Sequence, residues 1–118
     1  MRGKILIAED DRNLRRVLKA MLVREGYDVA EAADGETAAF WLDANRADAL
    51  VSDIRMPKMD GLALFRHCRE RHPSMPVILV TAYGTIGDAV EAIRSGAFDY
   101  ITKPFDEAEL LRVVGNAV

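Results

Sequence analysis

The sequence predicts an α/β fold in which five short parallel strands alternate with five helices, forming a doubly wound (βα)5 sheet. Two observations carry this prediction. Short apolar runs alternate with segments whose apolar residues recur every three or four positions, and only a few residues connect them. Three of the runs are apolar throughout, as expected for strands that helices cover on both faces. The 118 residues, half of them hydrophobic, suffice for one such domain.

Each predicted strand is a short apolar run that ends before a turn. The five runs cover residues 5–8, 27–30, 49–51, 77–80 and 100–101. The first, third and fourth are continuously apolar and are expected at the centre of the sheet. Short connections imply right-handed crossovers. A flavodoxin-like strand order of 2-1-3-4-5 would make the first and third strands neighbours.

The first two helices are predicted from their periodicity and their end signals. The apolar residues of the first helix are Leu14, Val17, Leu18, Met21 and Leu22. Asp11 or Asn13 is expected to cap this helix, and Gly26 to end it. The second helix is expected to begin at Asp34-Gly35.

The last three helices are predicted mainly from capping residues. Asp60 is expected to cap the third helix and Pro73 to end it. Thr85 and Asp106 each precede an acidic residue by three positions, a spacing that resembles a capping box for the last two helices. The aromatic side chains of the helices are expected to pack them on the sheet: Phe40, Trp41 and Phe65.

Charged residues stand where three of the strands stop. Glu9 and Asp10 follow the first strand, Asp53 follows the third, and Lys103 follows the fifth. Ligands of open parallel sheets bind outside the carboxyl ends of the strands, so we expect these side chains to converge there. Because clustered carboxylates repel one another, the site requires positive charge.

The chemistry of these residue types points to a metal ion and a phosphoryl group. Hard oxygen ligands without nearby His or Cys favour Mg²⁺, and the ammonium of Lys103 suits phosphoryl oxygens. With a hydroxyl at Thr81, Asp53 is equipped to attack phosphorus. The predicted product is an aspartyl phosphate.

Several separated motifs occur in an order that identifies a family. They are Glu9-Asp10-Asp11, the segment from Ser52 to Gly61, Thr81-Ala82, and the segment from Ala97 to Phe105. Together they resemble the receiver domain of two-component response regulators, whose fold is called CheY-like. The similarity is greatest to the NtrC type of enhancer-binding activator, and it covers essentially the whole chain.

The resemblance implies a role for each residue of the predicted site. Asp53 would accept phosphate from a sensor histidine kinase, and Thr81 and Lys103 would bind the phosphoryl oxygens. The implied Mg²⁺ ligands are Asp10, Asp53 and the backbone carbonyl of Arg55, with Glu9 acting through water. The domain would thus be a regulatory phosphoacceptor that catalyses its own phosphorylation, rather than a conventional enzyme.

The resemblance also implies a switch. The Thr81 hydroxyl would move toward the phosphate and Tyr100 would turn into the vacated space, changing the surface of the fourth helix, fifth strand and fifth helix. A cis bond is implied at Lys103-Pro104. Bulky Arg55 and Tyr83 occupy the positions that tune acyl-phosphate lifetime in the family, so slow dephosphorylation is expected.

Composition bears on partners and location. The net charge of −3 and the interleaved charges argue against direct nucleic-acid binding. Cys68, the single cysteine, has no disulfide partner, and no run approaches the roughly 20 apolar residues of a membrane span. A soluble, cytoplasmic bacterial protein is expected. His67 and His72 are expected to be solvated surface residues.

The whole protein is expected to be longer than this chain. Residues 1–118 would form an N-terminal receiver domain, because the final helical pattern continues to the last residues. By analogy with NtrC-type proteins, an AAA+ ATPase that works with the sigma-54 factor and a DNA-binding domain would follow. A homodimer is also expected.

Three alternatives remain at the level of sequence. A haloacid-dehalogenase-like phosphatase also uses a nucleophilic aspartate, but Arg55 stands where its second acid is usual. A flavodoxin would need a phosphate cradle after the first strand, where Glu9 and Asp10 would repel the FMN phosphate. A pseudo-receiver that dimerises without phosphate would not require the intact acidic set.

Overall fold

The fold is an open parallel sheet between two layers of helices. The computed structural model describes residues 2–118, except for the side chain of Tyr83. The strands are β1 (Lys4–Ala8), β2 (Asp28–Ala32), β3 (Ala49–Asp53), β4 (Val77–Thr81) and β5 (Asp99–Thr102). The helices are α1 (Arg12–Arg24), α2 (Gly35–Ala44), α3 (Gly61–Arg71), α4 (Ile86–Arg94) and α5 (Glu107–Ala117), with a 3₁₀ turn at Tyr83–Thr85. All strand pairs are parallel and their order is 2-1-3-4-5, which confirms the predicted class and topology.

The sheet separates two apolar cores. One core lies under α2, α3 and α4, and the other lies under α1 and α5. Successive residues of a strand point to opposite faces, so Leu6 packs in the first core and Ile7 in the second. Every residue of β3 and β4 is buried, which explains why the two central runs are apolar almost throughout.

Side-chain caps begin four of the helices. Asp11 Oδ1 accepts hydrogen bonds from the backbone N–H groups of Asn13 and Leu14 at 2.9 and 3.0 Å. Asp34 and Asp60 cap α2 and α3 in the same manner. The caps at Asp11 and Asp60 are therefore confirmed. Gly26, at a φ of +100°, follows the end of α1 in the left-handed conformation that glycine tolerates.

The predicted capping boxes of the last two helices are wrong in detail. Thr85 makes no side-chain cap for α4, because its hydroxyl binds the carbonyl of Ala82 at 3.0 Å. Asp106 does cap α5, but it accepts from the N–H of Ala108, whereas a capping box uses the third helical N–H.

Phe40 does not pack on the sheet as expected. Its side chain is 78% exposed, whereas Phe65 is buried. The buried residues of α2 include Ala38 and Leu42, and Phe40 lies two positions from each, about 200° around the helix. The positions of these buried residues around the helix therefore decide which face of α2 packs on the sheet.

The described helices are short. The longest, α1, has 13 residues, whereas a bilayer span requires about 20. Among residues 2–118, no helix has both the length and the hydropathy to cross a membrane.

Candidate functional site

The strand register brings the predicted charged residues to one edge of the sheet. Ala8 at the end of β1 is level with Ser52, so Glu9 lies beside Asp53 at the end of β3. Thr81 pairs with Thr102 at the ends of β4 and β5. The N–H of Lys103 donates to the carbonyl of Thr81 at 2.8 Å and so begins the loop after β5 at the same edge.

Lys103 joins the carboxylates of two strands. Its Nζ donates to Asp53 Oδ2 at 3.0 Å and lies 3.3 Å from Glu9 Oε1. Asp53 Oδ1 accepts from the N–H of Ile54 at 2.9 Å. Glu9 is 1% exposed and Asp53 is 7% exposed. The ammonium therefore bridges two carboxylates in a setting largely shielded from water.

The carboxylate cluster fits Mg²⁺. Oxygens of Glu9, Asp10 and Asp53 lie within 4.8 Å of one another, and Asp10 faces solvent while the other two are buried. Glu9 Oε2 accepts from the N–H of Asp11 at 3.0 Å, whereas Oε1 makes no well-formed hydrogen bond among the described residues and has the ammonium of Lys103 as an ion-pair partner at 3.3 Å. A buried carboxylate oxygen without a well-formed hydrogen bond is costly, and a hard cation with its water shell would satisfy it.

The cluster shifts the proton affinities of its members. Burial raises the pKa of Glu9 to about 7; the charge of Asp53 adds to the increase, and the N–H of Asp11 and the charge of Lys103 oppose it. Burial alone would lower the pKa of Lys103, but the hydrogen bond and charge of Asp53 and the charge of Glu9 raise it overall. Lys103 is therefore cationic at neutral pH, whereas Glu9 titrates near neutrality.

A Glu9→Gln substitution is expected to stabilise the metal-free protein at alkaline pH. Folding raises the pKa of Glu9 from 4.5 to about 7. The stability that protonated Glu9 contributes to the folded state is therefore fully present below pH 4.5, and it is lost as the pH rises through about 7. Gln cannot ionise, so at about pH 8 the variant should be more stable by about 2–3 kcal/mol, and near pH 4 by close to zero.

Urea unfolding in excess chelator at both pH values measures this difference. Glu70→Gln, which alters an exposed glutamate of α3, is the matched control and should show no pH-dependent gain. A Glu9→Gln variant that is less stable than the wild type at the higher pH would contradict the raised pKa.

Thr81 contacts a second buried threonine, Thr85, whose role no sequence motif indicates. Both Thr81 and Thr85 are buried, and their hydroxyls share a hydrogen bond. Each hydroxyl oxygen also lies within hydrogen-bond distance of the carbonyl of Ala82, at 3.1 Å for Thr81 and 3.0 Å for Thr85, and since each carries one proton, one hydroxyl donates to this carbonyl and the other to its neighbour. The sequence spacing of four residues does not by itself indicate this contact, because the contact depends on the path of the 3₁₀ turn between the two residues.

The remaining predicted residues surround the cluster. Tyr100 is partly buried and packs against the core under α2, α3 and α4. Arg55 is exposed and, with Asp10 and Asp88, lines an open cleft of ≈ 540 Å³ beside the cluster. The Lys103-Pro104 bond is cis, as expected. The side chain of Tyr83 lies outside the described residues.

Comparison with known proteins identifies the family and the fold. The family described as response regulator receiver domain matches residues 5–115. The DNA-binding transcriptional regulator NtrC of Salmonella typhimurium is 41% identical over 117 residues, which is 99% of this chain and 25% of that protein. These matches favour the receiver interpretation over the phosphatase and flavodoxin alternatives.

Solved structures agree with this assignment. The receiver domain of the Francisella response regulator 1452 superimposes with a TM-score of 0.87 at 35% identity, covering 95% of this chain and 93% of that one. NtrX from Brucella abortus, crystallised with ADP, gives a TM-score of 0.93 at 33% identity, covering 99% of this chain and 27% of that one. The chain therefore spans about a quarter of the length of NtrC and NtrX.

Proposed function

The chain belongs to the response regulator receiver domain family, and from this membership we propose that it accepts a phosphoryl group from a sensor histidine kinase onto Asp53. The observation that carries the proposal is the buried Asp53 carboxylate, paired with Lys103 at 3.0 Å beside two further acids. Such a group is shielded from water, adjacent to a fixed cation and within reach of a metal site.

The transfer uses the residues of the cluster in distinct roles. An oxygen of Asp53 forms a bond to phosphorus, while the bond from phosphorus to the donor imidazole nitrogen breaks and that nitrogen keeps the electron pair. Lys103 Nζ neutralises charge on the phosphoryl oxygens. The Mg²⁺ ligands would be Asp10, Asp53 and the backbone carbonyl of Arg55, with Glu9 acting through water. When bound, the ion supplies further positive charge to the transferring group.

Phosphorylation would then shift the position of Thr81. To reach a phosphoryl oxygen, its hydroxyl must leave Thr85 and the carbonyl of Ala82. Tyr100 would turn into the space that the hydroxyl vacates, and this change would alter the surface formed by α4, β5 and α5. A local change of charge would thus become a changed interface.

The partners follow from the relatives rather than from the geometry. NtrC, whose name describes a DNA-binding transcriptional regulator, is about four times as long as this chain. We therefore propose that this chain is the N-terminal regulatory domain of a cytoplasmic transcription activator. An AAA+ ATPase that acts with sigma-54, a DNA-binding domain and a homodimeric assembly complete the proposal by analogy.

Intact mass spectrometry tests the phosphoryl transfer. The chain is incubated with Mg²⁺ and a small acyl phosphate, and a parallel sample contains excess chelator. The proposal predicts one added phosphoryl group per chain with Mg²⁺ and a strong reduction with chelator. Absence of an adduct with the acyl phosphate and with a phosphohistidine donor would favour a pseudo-receiver instead.

A Thr85→Val substitution is expected to favour the phosphorylated conformation. It removes one hydrogen bond that holds the Thr81 hydroxyl, which is worth about 1 kcal/mol or about fivefold in the conformational ratio. Binding of beryllium fluoride with Mg²⁺, a stable mimic of the phosphoryl group, should tighten accordingly. Thr81→Val should weaken it, and equal weakening by both variants would contradict the proposed movement.

The lifetime of the phosphoryl group is expected to be long. Exposed Arg55 lies beside the cluster, where its bulk would restrict the approach of the attacking water. By resemblance to the family, Tyr83 occupies the second position that tunes this lifetime. The double substitution Arg55→Ala and Tyr83→Ala should therefore accelerate hydrolysis of the isolated phosphorylated chain. An unchanged rate of phosphate release would show that other groups control water access.

A further inference from the structure

A second cluster of ligand side chains joins the ends of α2 and α3. Asp43 is the penultimate residue of α2, and His67 lies in α3. Nε2 of His67 and Nε2 of His72 each lie 3.0 Å from Asp43 Oδ1. The two imidazoles are 21% and 25% exposed, so the expectation that they are simply solvated surface residues is wrong.

The end of α3 makes this convergence possible. In a continuous helix, residues five positions apart point about 140° away from each other. His72, however, is the C-cap of α3 and leaves the helical conformation at φ −135° and ψ 57°. Its ring can therefore return toward His67, with the two ring centroids 6.0 Å apart.

We propose that Asp43, His67 and His72 bind a zinc ion, with water as the fourth ligand. Two imidazole nitrogens and one carboxylate oxygen are a ligand set that Zn²⁺ accepts. All three ligand atoms lie within 4.8 Å of one another. Ligands of a tetrahedral zinc lie roughly 3.3 Å apart, so the two pairs at 3.0 Å need to move by only a few tenths of an ångström.

The charges around the cluster allow a cation. Hydrogen bonds from His67 and His72 lower the pKa of Asp43, so its carboxylate is ionised at neutral pH. Arg71 Nε lies 3.3 Å from the same oxygen and competes with a metal, but this side chain is 59% exposed and can turn into solvent. Cys68 is buried in the apolar core under α2, α3 and α4, and its sulfur is not among the three ligand atoms that converge.

The zinc site lies opposite the phosphoacceptor edge of the sheet. Asp43 and His72 stand at helix ends that lead into β3 and β4, hence at the amino ends of those strands. Asp53, in contrast, ends β3. A bound ion would therefore fasten α2 to α3 without displacing any residue of the acidic cluster.

Isothermal titration with Zn²⁺ tests the site. The chain carries no histidine tag and is titrated in excess Mg²⁺, so that the acidic cluster is occupied. One Zn²⁺ per chain is expected, with affinity falling at least about tenfold in both His67→Gln and His72→Gln. Arg71→Gln and Cys68→Ala, which leave all three ligands intact, should bind at least as well as the wild type.

Thermal unfolding provides a second measurement that does not depend on heat of binding. A ligand that binds only the folded state raises the unfolding midpoint, so Zn²⁺ should raise it in the wild type and in Arg71→Gln but not in the double variant His67→Gln/His72→Gln. Undiminished binding by that double variant, loss of binding in Cys68→Ala or Asp53→Asn, or no binding at all would each overturn the proposal.

Discussion

Replacing Asp53 with Asn is expected to lower the rate of phosphoryl-adduct formation by at least about 10³-fold, as removal of a nucleophile does in enzymes. The amide is isosteric with the carboxylate, so its oxygen can still accept the N–H of Ile54. What it lacks is the negative oxygen that Lys103 contacts. The loss is therefore expected in the chemistry, not in the fold.

A matched control separates this effect from the loss of one negative charge elsewhere on the chain. Asp28→Asn changes an exposed carboxylate at the first residue of β2, at the opposite end of the sheet from Asp53. This variant should form the adduct at the wild-type rate. An Asp53→Asn chain that forms the adduct as fast as the control would remove Asp53 from the mechanism.

Gly61→Ala is expected to destabilise the folded chain by about 3 kcal/mol or more, the upper part of the range for overpacked sites. A Cβ at this position would lie 2.0 Å from the carbonyl oxygen of Asp53 and 2.8 Å from Cα of Ile54. Both are backbone atoms, and the N–H of Gly61 donates to the carbonyl of Ile54 at 2.7 Å. The backbone at Asp53 and Ile54 cannot move away from the added Cβ without breaking this hydrogen bond.

Gly87→Ala is the corresponding control. Gly87 lies within α4, and a Cβ there would meet no atom within 4 Å. Alanine is the better helix former, so this variant should be more stable by about 0.5–1 kcal/mol. Urea unfolding measures both variants, and a Gly61→Ala chain as stable as Gly87→Ala would show that the close approach to β3 is relieved at little cost.

The sequence was sufficient to predict the parallel sheet and to predict which charged residues form the acidic cluster. Continuous apolar runs are required of central parallel strands, and the carboxyl ends of such strands must share an edge. The sequence alone therefore predicts that Glu9, Asp53 and Lys103 lie together. The strand limits were less accurate: β2 is Asp28–Ala32 where residues 27–30 were expected, because the backbone of Tyr27 still belongs to the turn that ends α1.

Features that depend on side-chain geometry could not be predicted from the sequence. The raised pKa of Glu9 follows from burial and from the nearby charge of Asp53, and a motif does not encode the extent of either. The contact between Thr81 and Thr85 depends on how the 3₁₀ turn folds back. Likewise, His67 and His72 meet at Asp43 because α3 ends between them, and their sequence spacing alone would place them on different faces.

The central claim, that Asp53 is the phosphoacceptor, is tested most directly by locating the phosphoryl group. Borohydride reduces an aspartyl phosphate to homoserine, and peptide mass spectrometry then identifies the altered position. The phosphorylated chain is expected to carry homoserine at Asp53 and at no other acid. Homoserine at Asp10 or Asp11, or a phosphoryl group retained on His67 or His72, would contradict the account.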